Sequence, residues 1–178
     1  MTTTDTDKPT HEARGFAGRT SLPPGWCWTT VPGLLADKLC NGISVKGRDT
    51  PPGVPALKLG AMGDNGFDYA DKRYIPIDGG TAQSLAIREG DFFVARGNGS
   101  LHLVGRGTLA QTPPEQVVFP DTMIRLRLAD EGPLRKYVSV LWQSASLRRQ
   151  VEARPGRPQA STRFPSRTSK SFSYLCRR

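Results

Sequence analysis

Apolar residues in this chain come in short runs separated by turn residues, and only one stretch has the spacing of a helix. After a Leu22-Pro23-Pro24-Gly25 turn, Trp26 and Trp28 alternate with Cys27 and Thr29, a period of two that puts both indoles on one face of a strand. Residues 31–39 read as a short helix, and residues 41–55 as a Gly/Pro-punctuated loop carrying Lys46 and Arg48. A short strand is expected over 54–59, and Gly63-Asp64-Asn65-Gly66 has the chemistry of a tight turn. Residues 82–88 fit a short helix or turn, and Glu89-Gly90-Asp91 a turn entering the apolar run Phe92-Phe93-Val94-Ala95. The polar loop Arg96-Gly97-Asn98-Gly99-Ser100 separates that run from a strand within 101–110. Residues 117–119 and 123–128 follow as strands. In the second, Ile124, Leu126 and Leu128 alternate with Arg125 and Arg127, which assigns the arginines to a wet face. Pro133 opens the one helical pattern, over 133–153, with Leu134, Tyr137, Val138, Leu141 and Ala145 as its apolar stripe and Arg148 and Arg149 in its later turns.

This order predicts an α+β fold: a β-rich domain of short strands over residues 22–153, closed by a C-terminal helix. A Thr-, Asp- and Gly-rich leader over 1–21 lacks periodicity, and a basic irregular tail follows over 154–178. The leader lacks the apolar core of a signal peptide, and no segment approaches the roughly 20 apolar residues of a membrane span. A cytoplasmic protein is expected. Cys27, Cys40 and Cys176 are widely spaced and odd in number, which favours reduced thiols over a disulfide framework or a zinc site.

The net charge of +9 suggests nucleic acid, but its distribution weakens that inference. Arg154, Arg157, Arg163, Arg167, Lys170, Arg177 and Arg178 lie in the tail with no acid among them. Of 25 basic residues these seven leave 18 against 16 acidic ones, so the body carries only +2. Catalytic residues are scarce as well. The two histidines, His11 and His102, do not support a His-based triad or a multi-His metal site. No Walker A loop, dinucleotide fingerprint or HExxH occurs, and the Gly-rich loop at Arg96 lacks the Gly-Lys-Ser/Thr ending of a phosphate cradle.

Taken in order, several segments resemble the target-recognition domains of type I restriction–modification specificity subunits over residues 22–153. They are residues 22–28 (LPPGWCW), 53–58 (GVPALK), 85–100 (LAIREGDFFVARGNGS), 103–106 (LVGR), 124–127 (IRLR) and 144–150 (SASLRRQ). The resemblance implies a module without a catalytic site that reads one half of a bipartite double-stranded DNA target. Its implied partners are modification subunits that methylate adenine with S-adenosylmethionine, and a restriction subunit that cuts. Arginine suits guanine, asparagine suits adenine and serine suits either base. Arg96, Asn98 and Ser100 are therefore the candidate contact loop, with Lys46, Arg48 and Lys58 nearby. Two other readings compete: a free-standing non-specific nucleic-acid binder acting through its basic tail, and the recognition end of a fused restriction–methylation enzyme.

The resemblance stops at residue 153. Members of this family continue with a Gly-rich turn, an Ile-Ser-type strand, a Leu-Pro-Leu-Pro-Pro stretch and a long helix that docks the methyltransferase. Codons permitted for residues 154–178, read from the third base of each residue into the first two of the next, spell AGPASGIYKISQQDIEKLFLPLPP. That string resembles the missing family segment and marks the tail as a frameshift product. Resequencing the gene from the codon for Arg148 past the stop is expected to show that frame open and continuing into helix-coding sequence. A closed frame would make the basic tail native.

Overall fold

The computed structural model describes residue 24 and residues 26–96, 104–129, 132–152 and 173–177. In chain order the strands are β1 (Trp26–Thr30), β2 (Cys40–Asn41), β3 (Val54–Leu57), β4 (Met62–Gly63), β5 (Gly66–Phe67), β6 (Lys72–Ile75), β7 (Phe92–Ala95), β8 (Gly107–Leu109), β9 (Met123–Leu126) and β10 (Ser173–Arg177). The helices are α1 (Gly79–Leu85), α2 (Pro133–Gln143) and α3 (Ala145–Glu152), with single 3-10 turns at Val31–Leu34 and Leu59–Ala61. Two compact units result, residues 1–34 with 167–178 and residues 35–166. Residues 26–34, in the segment expected to open the central domain, thus group with Ser173–Arg177.

In the smaller unit β1 pairs antiparallel with β10, in register from Trp26 opposite Arg177 to Thr30 opposite Ser173. The tail expected to be irregular therefore contains a strand. Val31 and Leu34, on the turn after β1, are buried.

The larger unit is organised around β7. A four-stranded antiparallel sheet runs β2-β9-β7-β8, and all four β7 residues are essentially inaccessible to solvent. A strand buried on both faces reads as a continuous apolar run, which is what Phe92-Phe93-Val94-Ala95 is. Phe93 and Ala95 enter the main core, where the Phe93 ring meets Phe119 edge-on at 4.9 Å and Phe67 at 5.3 Å. Phe92 instead meets Trp142 of α2 at 5.2 Å. The indole Nε1–H of Trp142 donates to the Gly105 carbonyl at 2.8 Å, which satisfies its polar atom in a buried position. Gly107 lies beneath the same ring, where a Cβ would overlap both Trp142 and Phe92, so only glycine admits the indole.

Beside this sheet the backbone closes a small ring. β3 pairs antiparallel with β6, and Ala56 bridges to Val118 in parallel. Pro120 bridges to Ile43, and Arg48 bridges back to Tyr74 on β6. Ala56, Leu57, Ile75, Val118 and Phe119 are buried in the core that this ring helps to enclose.

Several expectations are corrected by this packing. Arg125 and Arg127 are not a wet face, because both faces of the sheet are covered. Arg125 is 8% exposed, lies over the Phe119 ring and donates to the Ser84 and Ala86 carbonyls at the end of α1, which lack helical partners. Arg127 holds the buried Asp91 carboxylate in a two-pronged pair, Nε to Oδ1 at 2.7 Å and Nη2 to Oδ2 at 2.9 Å. Asp91 is thus an interior anion with a charge partner as well as a turn residue. The single helix expected over 133–153 is two: the chain turns extended at Ser144, whose Oγ accepts from the Leu147 amide at 3.3 Å and caps α3. Ala145, placed on the apolar stripe, is exposed, and Trp142 is the buried anchor instead. The helix expected over 31–39 is only a 3-10 turn, and β6 was not anticipated.

Trp142→Ala is expected to lower unfolding stability by about 3–5 kcal/mol in denaturant titration, the range for deleting a large buried aromatic. Asp91→Ala should cost a similar amount, about 3–5 kcal/mol, because it strands Arg127 without its counter-charge. A change below about 1 kcal/mol in either variant would contradict the two-faced burial of β7 and its ion-paired entrance.

Candidate nucleic-acid interface

Three of the six basic and polar residues singled out in the sequence converge on the ring beside the sheet. Lys46 and Arg48 are exposed, and the segment between them lies flat on β6. The Arg48 amide donates to the Tyr74 carbonyl at 3.0 Å, and the Tyr74 amide donates to the Arg48 carbonyl at 2.7 Å. Gly47 makes this approach possible: a Cβ there would lie 2.7 Å from the Tyr74 carbonyl oxygen and 2.9 Å from Ile75 Cγ2. Lys58, at the end of β3, is drawn to the same place. Its ammonium sits 3.1 Å from Asp49 and 3.9 Å from Asp71, so its charge is locally compensated.

Arg96 leaves the end of β7 with its amide donating to the Thr122 carbonyl at 2.6 Å. The neighbouring Asp121 amide donates to the Ile43 carbonyl at 3.2 Å, so the chain at Arg96 and the segment leading to Lys46 adjoin through residues 121–122. Arg96 is half-buried, and its Nε is buried with no hydrogen-bond partner among the described residues. Asn98 and Ser100 lie outside the described residues, as does His102.

The sequence reading missed Arg73 and Tyr74 of β6. Residues 72–77 (KRYIPI) carry the signal that was available, since Ile75 and Ile77 recur at period two beside a basic-aromatic stretch. Tyr74 stands opposite Arg48 across the bridge. Arg73 alternates to the other side of β6, where its Cδ lies 3.1 Å from where a Gly47 Cβ would be, and its Nε is buried with no hydrogen-bond partner among the described residues. Lys72 is engaged by Glu115, whose hydrogen bond holds the ammonium above the usual lysine range.

Among the described residues no group of three or more His, Cys, Asp or Glu side chains is placed to hold a metal, and no helix is long and apolar enough to cross a membrane. What the arrangement offers is cationic side chains and hydrogen-bond donors on a braced β scaffold, suited to phosphate oxygens and base edges.

No family profile matches the chain. It is 30% identical over 115 residues to the type I restriction enzyme EcoKI specificity subunit of Escherichia coli strain K12, which covers 64% of this chain and 25% of that protein. The chain thus spans about a quarter of the length of this relative. In fold it matches a chain from a structure of the type I R-M system, with TM-score 0.62 and 15% identity over 89% of this chain and 36% of the other. It also matches the HsdS subunit from Thermoanaerobacter tengcongensis, with TM-score 0.57 and 16% identity over 90% of this chain and 40% of that one. The S subunit from M. genitalium gives TM-score 0.52 and 15% identity over 89% and 36%. Over 115 residues the chain is similar in sequence to a type I restriction enzyme specificity subunit, and in fold it is similar to S subunits of type I restriction–modification systems.

Proposed function

We propose that the chain acts as a DNA target-recognition domain of a type I specificity subunit, reading one half of a bipartite duplex target and catalysing nothing itself. In this reading the partner modification subunits carry S-adenosylmethionine and methylate adenine, and a restriction subunit cuts. The observation that carries it is the 30% identity to the EcoKI specificity subunit over 115 residues. The shared fold adds support, as does the exposure of Lys46 and Arg48.

The chemistry of these side chains fits a division between positioning and reading. Arg96, Asn98 and Ser100 are assigned to base edges, because their donors and acceptors match those in the major groove. Lys46, Arg48 and Lys58 are assigned to the flanks. A second reading draws on the tail, where seven basic residues and no acid fall after residue 153: non-specific attraction to any nucleic acid.

Selection of a randomised duplex library on the full-length chain separates the two. Enrichment of a short defined motif is the expected result, and Arg96→Ala should relax the preference at one position at a cost of about 1–3 kcal/mol. Equal affinity for all sequences, lost on deleting residues 154–178, would contradict the recognition reading and favour the tail.

A further inference from the structure

The β4–β5 hairpin ends in an exposed tip, Asp64-Asn65, that is held from outside the hairpin. Three successive carbonyls of the turn accept from side chains of other segments. Gly63 accepts from Thr108 Oγ1 at 2.7 Å, Asp64 from Gln143 Nε2 at 2.8 Å and Asn65 from Gln111 Nε2 at 2.5 Å. The Oε1 of the same Gln111 accepts from the Phe67 amide at 3.1 Å. At Gly66 (φ 137°) the Gln111 carboxamide fills the space where a Cβ would stand. Arg106 donates twice to Asp64 Oδ1, from Nε at 3.2 Å and from Nη2 at 2.7 Å, which compensates the charge of the tip.

Asparagine commonly occurs in turns for one of two local reasons: its side chain bonds nearby backbone, or it tolerates a left-handed conformation. Neither operates at Asn65. Its side chain makes no hydrogen bond among the described residues, and none of them other than glycine has a positive φ. The turn therefore leaves this carboxamide unused, on a tip whose backbone is already fixed. A carboxamide offers a donor and an acceptor side by side, which matches the N6 and N7 edge of adenine in the major groove. The tip also adjoins the chain that carries the candidate contact loop. The carbonyl of Arg106, whose side chain grips Asp64, accepts from the amide of Ala95 at 2.8 Å, next to Arg96.

We infer that Asn65 is a further specificity-determining residue, whose carboxamide hydrogen-bonds one adenine of the target half-site from a tip preset by Gln111, Gln143, Thr108 and Arg106. This rests on the DNA-recognition reading above and deepens it by adding a base reader on a second element, the β4–β5 hairpin. Because the tip is fixed before DNA arrives, little ordering opposes the contact. The Asn65 side chain holds none of the turn together, so its removal leaves the fold intact.

The test is selection of a randomised duplex library on the full-length chain and on Asn65→Ala, with thermal melting of both. Wild type is expected to enrich a motif containing an adenine that Asn65→Ala no longer distinguishes, a loss of roughly 5- to 150-fold in preference at that position. The other positions, including the one that Arg96→Ala relaxes, should be retained. Asn65→Asp keeps the shape but offers only acceptors, and should exchange that adenine for cytosine. If Asn65→Ala melts well below wild type, Asn65→Asp carries the test instead. A folded variant that selects the wild-type motif unchanged, or that loses preference only at a base other than adenine, would overturn this assignment alone. A wild-type chain that enriches no motif would overturn the recognition reading and this residue together.

Discussion

Burial of β7 on both faces is the constraint from which the rest of the larger unit follows. A strand with Phe92, Phe93, Val94 and Ala95 all inaccessible needs a separate apolar cover on each side. One cover is the aromatic cluster of Phe67, Phe93 and Phe119; the other is α2, delivered through Trp142. Polar groups trapped by this arrangement must then be paired. Asp91, at the entrance to the strand, meets Arg127, and Arg125 takes the orphan carbonyls at the end of α1. The deep charges are consequences of covering the sheet twice, and they leave those arginines unavailable to a ligand.

The same packing decides which cations remain available. With Arg125 and Arg127 turned to structural use, Lys58 and Lys72 paired and the Arg73 Nε buried, the exposed cations of the ring among the described residues are Lys46 and Arg48. These side chains stand on backbone that closes between β6, β3 and the bridges at Val118, Pro120 and Ile43. A rigid β scaffold that presents cations is well matched to the proposed task of meeting a stiff, regularly charged duplex in one register.

Much of this was legible in the residues, and the failures have physical causes. The β3 segment, the Asp64-Asn65 hairpin and the β7 run follow from turn chemistry and local apolar pattern, and each forms as those signals predict. The arginines of β9 were misassigned because period-two alternation separates two faces without revealing that both are covered. The helix after Pro133 was read as continuous because Ser144-Ala145-Ser146 is helix-tolerant, while the cap from Ser144 Oγ to the Leu147 amide depends on local geometry. The strand at Ser173–Arg177 had no periodic signal, and its partner lies some 145 residues earlier at β1. Of the candidate site, Lys46 and Arg48 were visible as basic residues in a loop. Tyr74 joins them only through the non-local bridge from Arg48, which sequence spacing does not encode.

Under the proposed function, this chain determines which DNA sequence a type I system modifies. The most direct measurement is to graft residues 22–153 in place of the matching segment of the E. coli specificity subunit and map methylated adenines across a genome by long-read sequencing. One half of the bipartite methylated site is expected to change while the other half stays as in the parent. An assembled chimera that methylates the parental site unchanged, or methylates without regard to sequence, would contradict it.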